Sequence, residues 1–358
     1  MKSRIERLME MLPKETDCAL ISSDINRRYF TGMLSSAGTL LCFRDAAYLI
    51  IDFRYIEKAR NIARDCTVIL QDDLYAQIKK LLRKHGAVKL SVEAMDFTLS
   101  KFEQLRENLG DSIELDASNT LSRAVYACRI VKYPFEIEKI KSAQQIAEEA
   151  FDHILGFIRE GVTEREIQLE LDFKMLRLGA EELSFPTIAL TGAGTSMPHG
   201  VPSDERKVCN GDFVLMDYGA VVDGYHSDMT RTVAVGEPSE EMKNVYNVVL
   251  NAQEKALREV RAGITGQQLD GIARQTIAEA GFGENFGHSL GHGVGMEIHE
   301  YPNAAPRAAA ALRNGNVITI EPGIYIAGKF GVRIEDFVLV TENGCENFTH
   351  APKNMIIL

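Results

Sequence analysis

Residues 212–235 read DFVLMDYGAVVDGYHSDMTRTVAV. Phe213–Met216 is an apolar, strand-like run that ends in a carboxylate, Asp217. Asp223-Gly224 suits a tight hairpin turn, and the return strand carries a second acid, Asp228. Residues 317–340, VITIEPGIYIAGKFGVRIEDFVLV, repeat the pattern, with Glu321 closing an apolar strand, a turn near Gly328 and Glu335 on the return. The paired acids lie 104 and 107 positions apart. Upstream of each hairpin are two helical stretches joined by similar pentapeptides, Arg159–Thr163 and Arg261–Thr265, 102 positions apart. A helix–helix–hairpin unit used twice makes an α+β domain with internal pseudo-two-fold duplication. Its four acids face a shared axis.

Moving toward the N-terminus, the pattern changes. Cys18–Ser22, Thr39–Phe43, Ala47–Asp52, Thr67–Gln71 and Leu90–Glu93 read as strands. Arg54–Arg64, Leu74–Lys84 and Leu99–Leu109 have helical periodicity, which together describe an α/β layer domain. The break at Arg129–Pro134, followed by a long helical stretch over Phe135–Gly161, sets the boundary near residue 130, giving domains 1–130 and 131–358.

The chain of 358 residues has 40 basic and 51 acidic side chains, net −11, which argues against nucleic acid or an anionic membrane as the main partner. Residues 1–130 hold 20 basic and 18 acidic side chains, and the rest hold 20 and 33, so the acid is concentrated in the second domain. Six scattered cysteines with no close pairing read as reduced thiols. The N-terminus has the charge spacing of an amphipathic helix, and no apolar run reaches the ~18 residues of a membrane span. A cytoplasmic protein is expected.

The acids within strands need a partner, because an ionised carboxylate buried alone costs several kcal/mol. Arg231 and Arg333 could form ion pairs with them, yet two arginines cannot neutralise four carboxylates. Five of the eight histidines, His199, His226, His288, His292 and His299, fall between 199 and 299. The run His288–Gly295 is too glycine-rich for a stable helix, so its His-x3-His spacing is not that of a zinc-protease helix. His226 and His288 read as ordinary loop histidines. Four carboxylates and an imidazole form a hard donor set suited to Mn²⁺ or a similar divalent ion. Two such ions would balance the charge and could hold a bridging hydroxide, with histidines stabilising an oxyanion during amide hydrolysis.

Seven segments carry a resemblance to a known family: Pro198–Gly200, Asp217–Gly219, Tyr225–Thr232, Gly291–Gly295, Ile298–Pro302, Ile320–Tyr325 and Val332–Asp336. Together they resemble the peptidase family of aminopeptidase P, prolidase and methionine aminopeptidase, with the pita-bread fold. Asn26–Gly32 and Asp52–Tyr55 are similar to the creatinase-type N-terminal domain. The resemblance implies dimetal ligands at Asp217, Asp228, His292, Glu321 and Glu335. Asp228 and Glu335 would bridge both ions, Asp217 would hold one, and His292 with Glu321 the other. It further implies Glu321 as general base, His199 and His299 as catalytic histidines, and Arg333 and Tyr325 as substrate-positioning or supporting residues. The ions would be manganese first, with cobalt or zinc as alternatives.

The substrates implied are short peptides with proline second, and the assembly implied is a homodimer. Prolidases often carry an arginine soon after the His-Glu-x-Pro segment. Here Asn303 follows Pro302 and the first arginine is Arg307, which favours an Xaa-Pro aminopeptidase. The alternatives are an Xaa-Pro dipeptidase, a methionine aminopeptidase-like enzyme and a non-catalytic peptide-binding scaffold.

Overall fold

The computed structural model describes residues 2–358. The chain divides into two compact units, Met1–Arg129 and Ile130–Leu358. The first begins with α1 (Arg4–Met11), whose Ser3 and Glu6 form a reciprocal cap, and continues through β1 (Cys18–Ile21), α2 (Asp24–Thr31), β2 (Thr39–Phe43) and β3 (Ala47–Ile51). Then come α3 (Ile56–Ile62), β4 (Thr67–Leu70), α4 (Leu74–Lys84), β5 (Lys89–Val92), α5 (Leu99–Leu109), β6 (Glu114–Asp116) and α6 (Thr120–Arg129). The six strands form one sheet in the order β4-β3-β2-β1-β5-β6, in which β2 runs antiparallel to both of its neighbours. Strands β1 to β3 are buried along their whole length. This explains why they read as continuous apolar runs, without the alternation of a half-wet sheet.

The second unit opens with α7 (Pro134–Leu155) and α8 (Glu164–Arg177). The long helix expected over 135–161 stops six residues early. At Gly156 the backbone N–H turns back to His153 O, and the following turn buries Ile158 and Val162. Strands β7 (Glu182–Leu183), β8 (Ile188–Thr191), β9 (Asp212–Tyr218), β10 (Ala220–Val222), β11 (Tyr225–His226) and β12 (Met229–Val235) complete the first half. Helices α9 (Glu240–Glu259) and α10 (Gly266–Glu279) open the second half. They are followed by β13 (Gly291–Gly293), β14 (Glu300–Ala304), β15 (Val317–Ile320), β16 (Gly323–Ile326), β17 (Phe330–Arg333), β18 (Asp336–Val340) and β19 (Cys345–Asn347).

The duplication is visible in the sheets. β9 lies between β8 and β12, and β15 lies between β13 and β18, every pair antiparallel. The first hairpin keeps one register from Met229↔Tyr218 to Val235↔Asp212 and turns at Asp223 and Gly224, both at positive φ. The second pairs Ile326 with Phe330 at its tip and Ile320 with Asp336 at its base. The two halves are joined at their return strands. Glu335 N–H donates to Thr230 O (3.1 Å), and Arg333 N–H donates to Thr232 Oγ1 (3.3 Å). Arg231, 1% exposed, donates to Asp336 Oδ1 (3.0 Å) and to the carbonyls of Glu335 and Ala351. One of the two arginines considered as partners for the four acids therefore staples the junction. No helix among the described residues is long and apolar enough to cross a membrane.

Candidate metal centre and active-site cleft

Each acid sits where an apolar strand delivers it to the junction of the halves. Asp217 is the next-to-last residue of β9, Asp228 precedes β12, Glu321 follows β15, and Glu335 lies between β17 and β18. His292 is the middle residue of β13. Ligating atoms of Asp228, His292 and Glu335 all lie within 4.8 Å of one another. His292 Nε2 is 3.3 Å from Glu321 Oε1 and 3.5 Å from Asp228 Oδ2. Asp217 is held differently, with its Oδ2 accepting from Arg333 Nη2 at 2.5 Å. One acid thus has the ion pair that elementary electrostatics demands, and three do not.

Those three are strongly perturbed. Burial, then repulsion from Glu335, Asp217 and Glu321, pushes Asp228 well above the usual carboxylate range. Burial and the neighbouring acids Glu321 and Asp217 do the same to Glu335. Glu321 is pushed up to about 8, chiefly by burial. The buried oxygens Asp217 Oδ1 and Glu335 Oε1 have no hydrogen-bond partner. His292 is pressed down to about 4 by burial and by His299. Its Nδ1–H donates to Gly293 O (3.1 Å), which leaves the Nε2 lone pair facing the acids. Acceptor oxygens without donors, acids that repel one another and a neutral imidazole aimed among them fit divalent cations.

Supporting bonds fix the acids in place. Arg333 Nε donates to Thr230 Oγ1 (3.0 Å), which donates to Glu335 Oε2 (2.8 Å). Thr319 Oγ1 donates to Glu321 Oε1 (3.1 Å). Arg333 Nη1 donates to Tyr325 Oη (2.7 Å), whose O–H donates to His288 Nε2 (3.0 Å). His288 is therefore no ordinary loop residue. Burial and the Arg333 charge lower it to about 4, so it is a neutral acceptor on the cleft wall. Its four-residue spacing from His292 was the available signal, but the Tyr325 partner lies 37 positions away. His226 donates or accepts at Ser184 Oγ (2.9 Å) and is not among the cleft-lining residues.

The acids open into a cleft of about 790 Å³, a size suited to a small ligand. His199 and His299 line it with the acids, and the His299 ring is 4.3 Å from that of His292. Desolvation, then the charge of His199, holds His299 below its ordinary value. Tyr325 is buried, and burial pushes its hydroxyl up to about 12. The candidate residues of the sequence thus converge on this one region of the second unit.

A duplicated α+β unit with buried acids and an imidazole at its junction defines a metallohydrolase. Residues 138–342 match metallopeptidase family M24, and residues 4–131 match the creatinase/prolidase N-terminal domain, so the chain belongs to family M24 and has the pita-bread fold. It is a metal-dependent hydrolase. An Xaa-Pro dipeptidase of Pyrococcus furiosus is 37% identical, covering 99% of this chain and all of that one. The structure of an Xaa-Pro dipeptidase from Bacillus anthracis is 42% identical and superposes with a TM-score of 0.95 over 99% of both chains. The structure of an X-Pro aminopeptidase from Thermotoga maritima is 38% identical, with a TM-score of 0.92 over 98% of this chain and all of that one.

Proposed function

We propose that this chain is an Xaa-Pro dipeptidase with two divalent ions, manganese first, in a catalytic domain of residues 131–358 that follows a creatinase-type domain of residues 1–130. The observation that carries the reading is an acid-and-imidazole cluster inside a chain matched end to end by relatives named Xaa-Pro dipeptidase. The likeness favours this alternative over the aminopeptidase that Asn303 suggested. The aminopeptidase stays as the second reading because of the Thermotoga structure of that name.

In this proposal Asp228 and Glu335 would hold both ions, Asp217 would hold one, and His292 and Glu321 would hold the other. The ions supply an activated water and neutralise charge as it develops on the substrate. Glu321 takes the proton of the attacking water and returns it to the departing proline nitrogen. His199 and His299 donate to the oxygen of the tetrahedral intermediate. Arg333 fixes Asp217, Tyr325 fixes Arg333, and His288 fixes Tyr325. The protein is further proposed to act as a cytoplasmic homodimer, which light scattering would test.

The deciding assay offers Mn²⁺-loaded protein an Xaa-Pro dipeptide and an Xaa-Pro-Yaa tripeptide side by side. The proposal expects the dipeptide to be cleaved with the higher kcat/KM. Cleavage of the tripeptide alone would establish the aminopeptidase instead.

A further inference from the structure

A dipeptide differs from a longer peptide in bearing a carboxylate one residue beyond the bond that breaks. Among the described residues, two guanidinium groups and no lysine line the cleft: Arg165 and Arg333. Arg333 is committed, since its donors reach Asp217, Tyr325 and Thr230. Asn303, also on the wall, is neutral.

Arg165 is in the first turn of α8, where its backbone N–H donates to Ser203 O (3.3 Å) and holds the helix start against the cleft. Its side chain is exposed, and Nη1 donates to the neutral Gln168 Oε1 (2.7 Å), itself a cleft residue. Among the described residues it has no ion pair. Asp172 is near enough for Arg165 to favour its charge, but it lies beyond ion-pair distance and accepts from Thr187 Oγ1 (2.6 Å). The cleft is thus polarised, with carboxylates in one region and an uncommitted cation in its wall.

We infer that Arg165, steadied by Gln168, binds the C-terminal carboxylate of the substrate and so sets its length. The inference rests on the dipeptidase reading and deepens it. A guanidinium presents paired donors that match a carboxylate, and such a bond is lost when the carboxylate becomes an amide. Residues at the acids act on the reacting bond, whereas Arg165 acts on the far end of the substrate, so its removal should raise KM.

The test measures kcat/KM for Ala-Pro, Ala-prolinamide and Ala-Pro-Ala with the Mn²⁺-loaded wild type, Arg165→Met and Arg165→Lys. The wild type should prefer the free acid by about 10- to 100-fold, the range of one charge-assisted hydrogen bond. Arg165→Met should lose that preference through KM on Ala-Pro, with kcat and bound metal unchanged, and Arg165→Lys should recover part of it. A wild type without the preference, or an Arg165→Met variant that keeps it, overturns the inference and leaves the dipeptidase reading standing. A wild type that cleaves Ala-Pro-Ala but neither dipeptide form removes both.

Discussion

Asp228, 4% exposed, and Glu335, 1% exposed, are acids largely shielded from bulk solvent. Their position was legible because a carboxylate ending an apolar strand is costly, and the same cost doubled in a repeat is hard to explain without cations. What the sequence could not separate was Asp217, which meets Arg333 through a hydrogen bond between residues 116 positions apart. His288 was hidden for the same reason. The perturbed groups yield a prediction about stability in the metal-free protein. Glu321 holds its proton up to about 8, and Asp228 and Glu335 are also raised, all above the values of an unfolded chain. Between the unfolded and folded values the native state binds more protons, so stability present at lower pH is lost as pH rises. His288 and His292, lowered to about 4, oppose this only up to their ordinary value of about 6.5. From about pH 6.5 to 8 the carboxylates alone set the slope. The Tm of the metal-free chain should fall across that window, and saturating Mn²⁺ should flatten the fall. A metal-free Tm that rises there would contradict the burial argument.

The elements themselves were largely legible, since the buried strands of both units carry their own apolar runs and the hairpin turns their own Asp-Gly or Gly signals. Strand β14 was not, although its residues alternate between buried and exposed. Its Pro302 and Asn303 disfavour a strand locally, and pairing with β13 overrides them. The three-residue β6 is too short to carry a pattern, and helix α6, which ends at Arg129, merges with the break in pattern at the domain boundary, so neither is legible in the sequence. Strand β13 shows why glycine flanks the imidazole. A Cβ on Gly291 would stand 2.0 Å from Thr319 O, so only glycine lets β13 lie this close to β15. Gly291→Ala should push His292 away from the acids, at a cost of about 1–3 kcal/mol in stability. Thermal melts with and without Mn²⁺ should show a lower Tm and a smaller metal-induced gain. An unchanged gain would mean that His292 is not positioned by this packing.

At the scale of the whole molecule, the duplication places one pair of acids from each half at a junction that neither half could form alone. Thr230 and Glu335 meet across it, as do Thr232 and Arg333. The spacing of 104 and 107 positions made that convergence readable, while the hydrogen bonds that join the halves depend on pairings no local pattern announces. The central claim is that these acids exist to hold two ions. Calorimetric titration of Mn²⁺ into metal-free wild type, Asp228→Ala and His199→Ala tests it most directly. The account predicts two equivalents for the wild type, loss of metal and activity for Asp228→Ala, and two equivalents with kcat lowered about 100- to 1,000-fold for His199→Ala. Two full equivalents and normal activity in Asp228→Ala would contradict it.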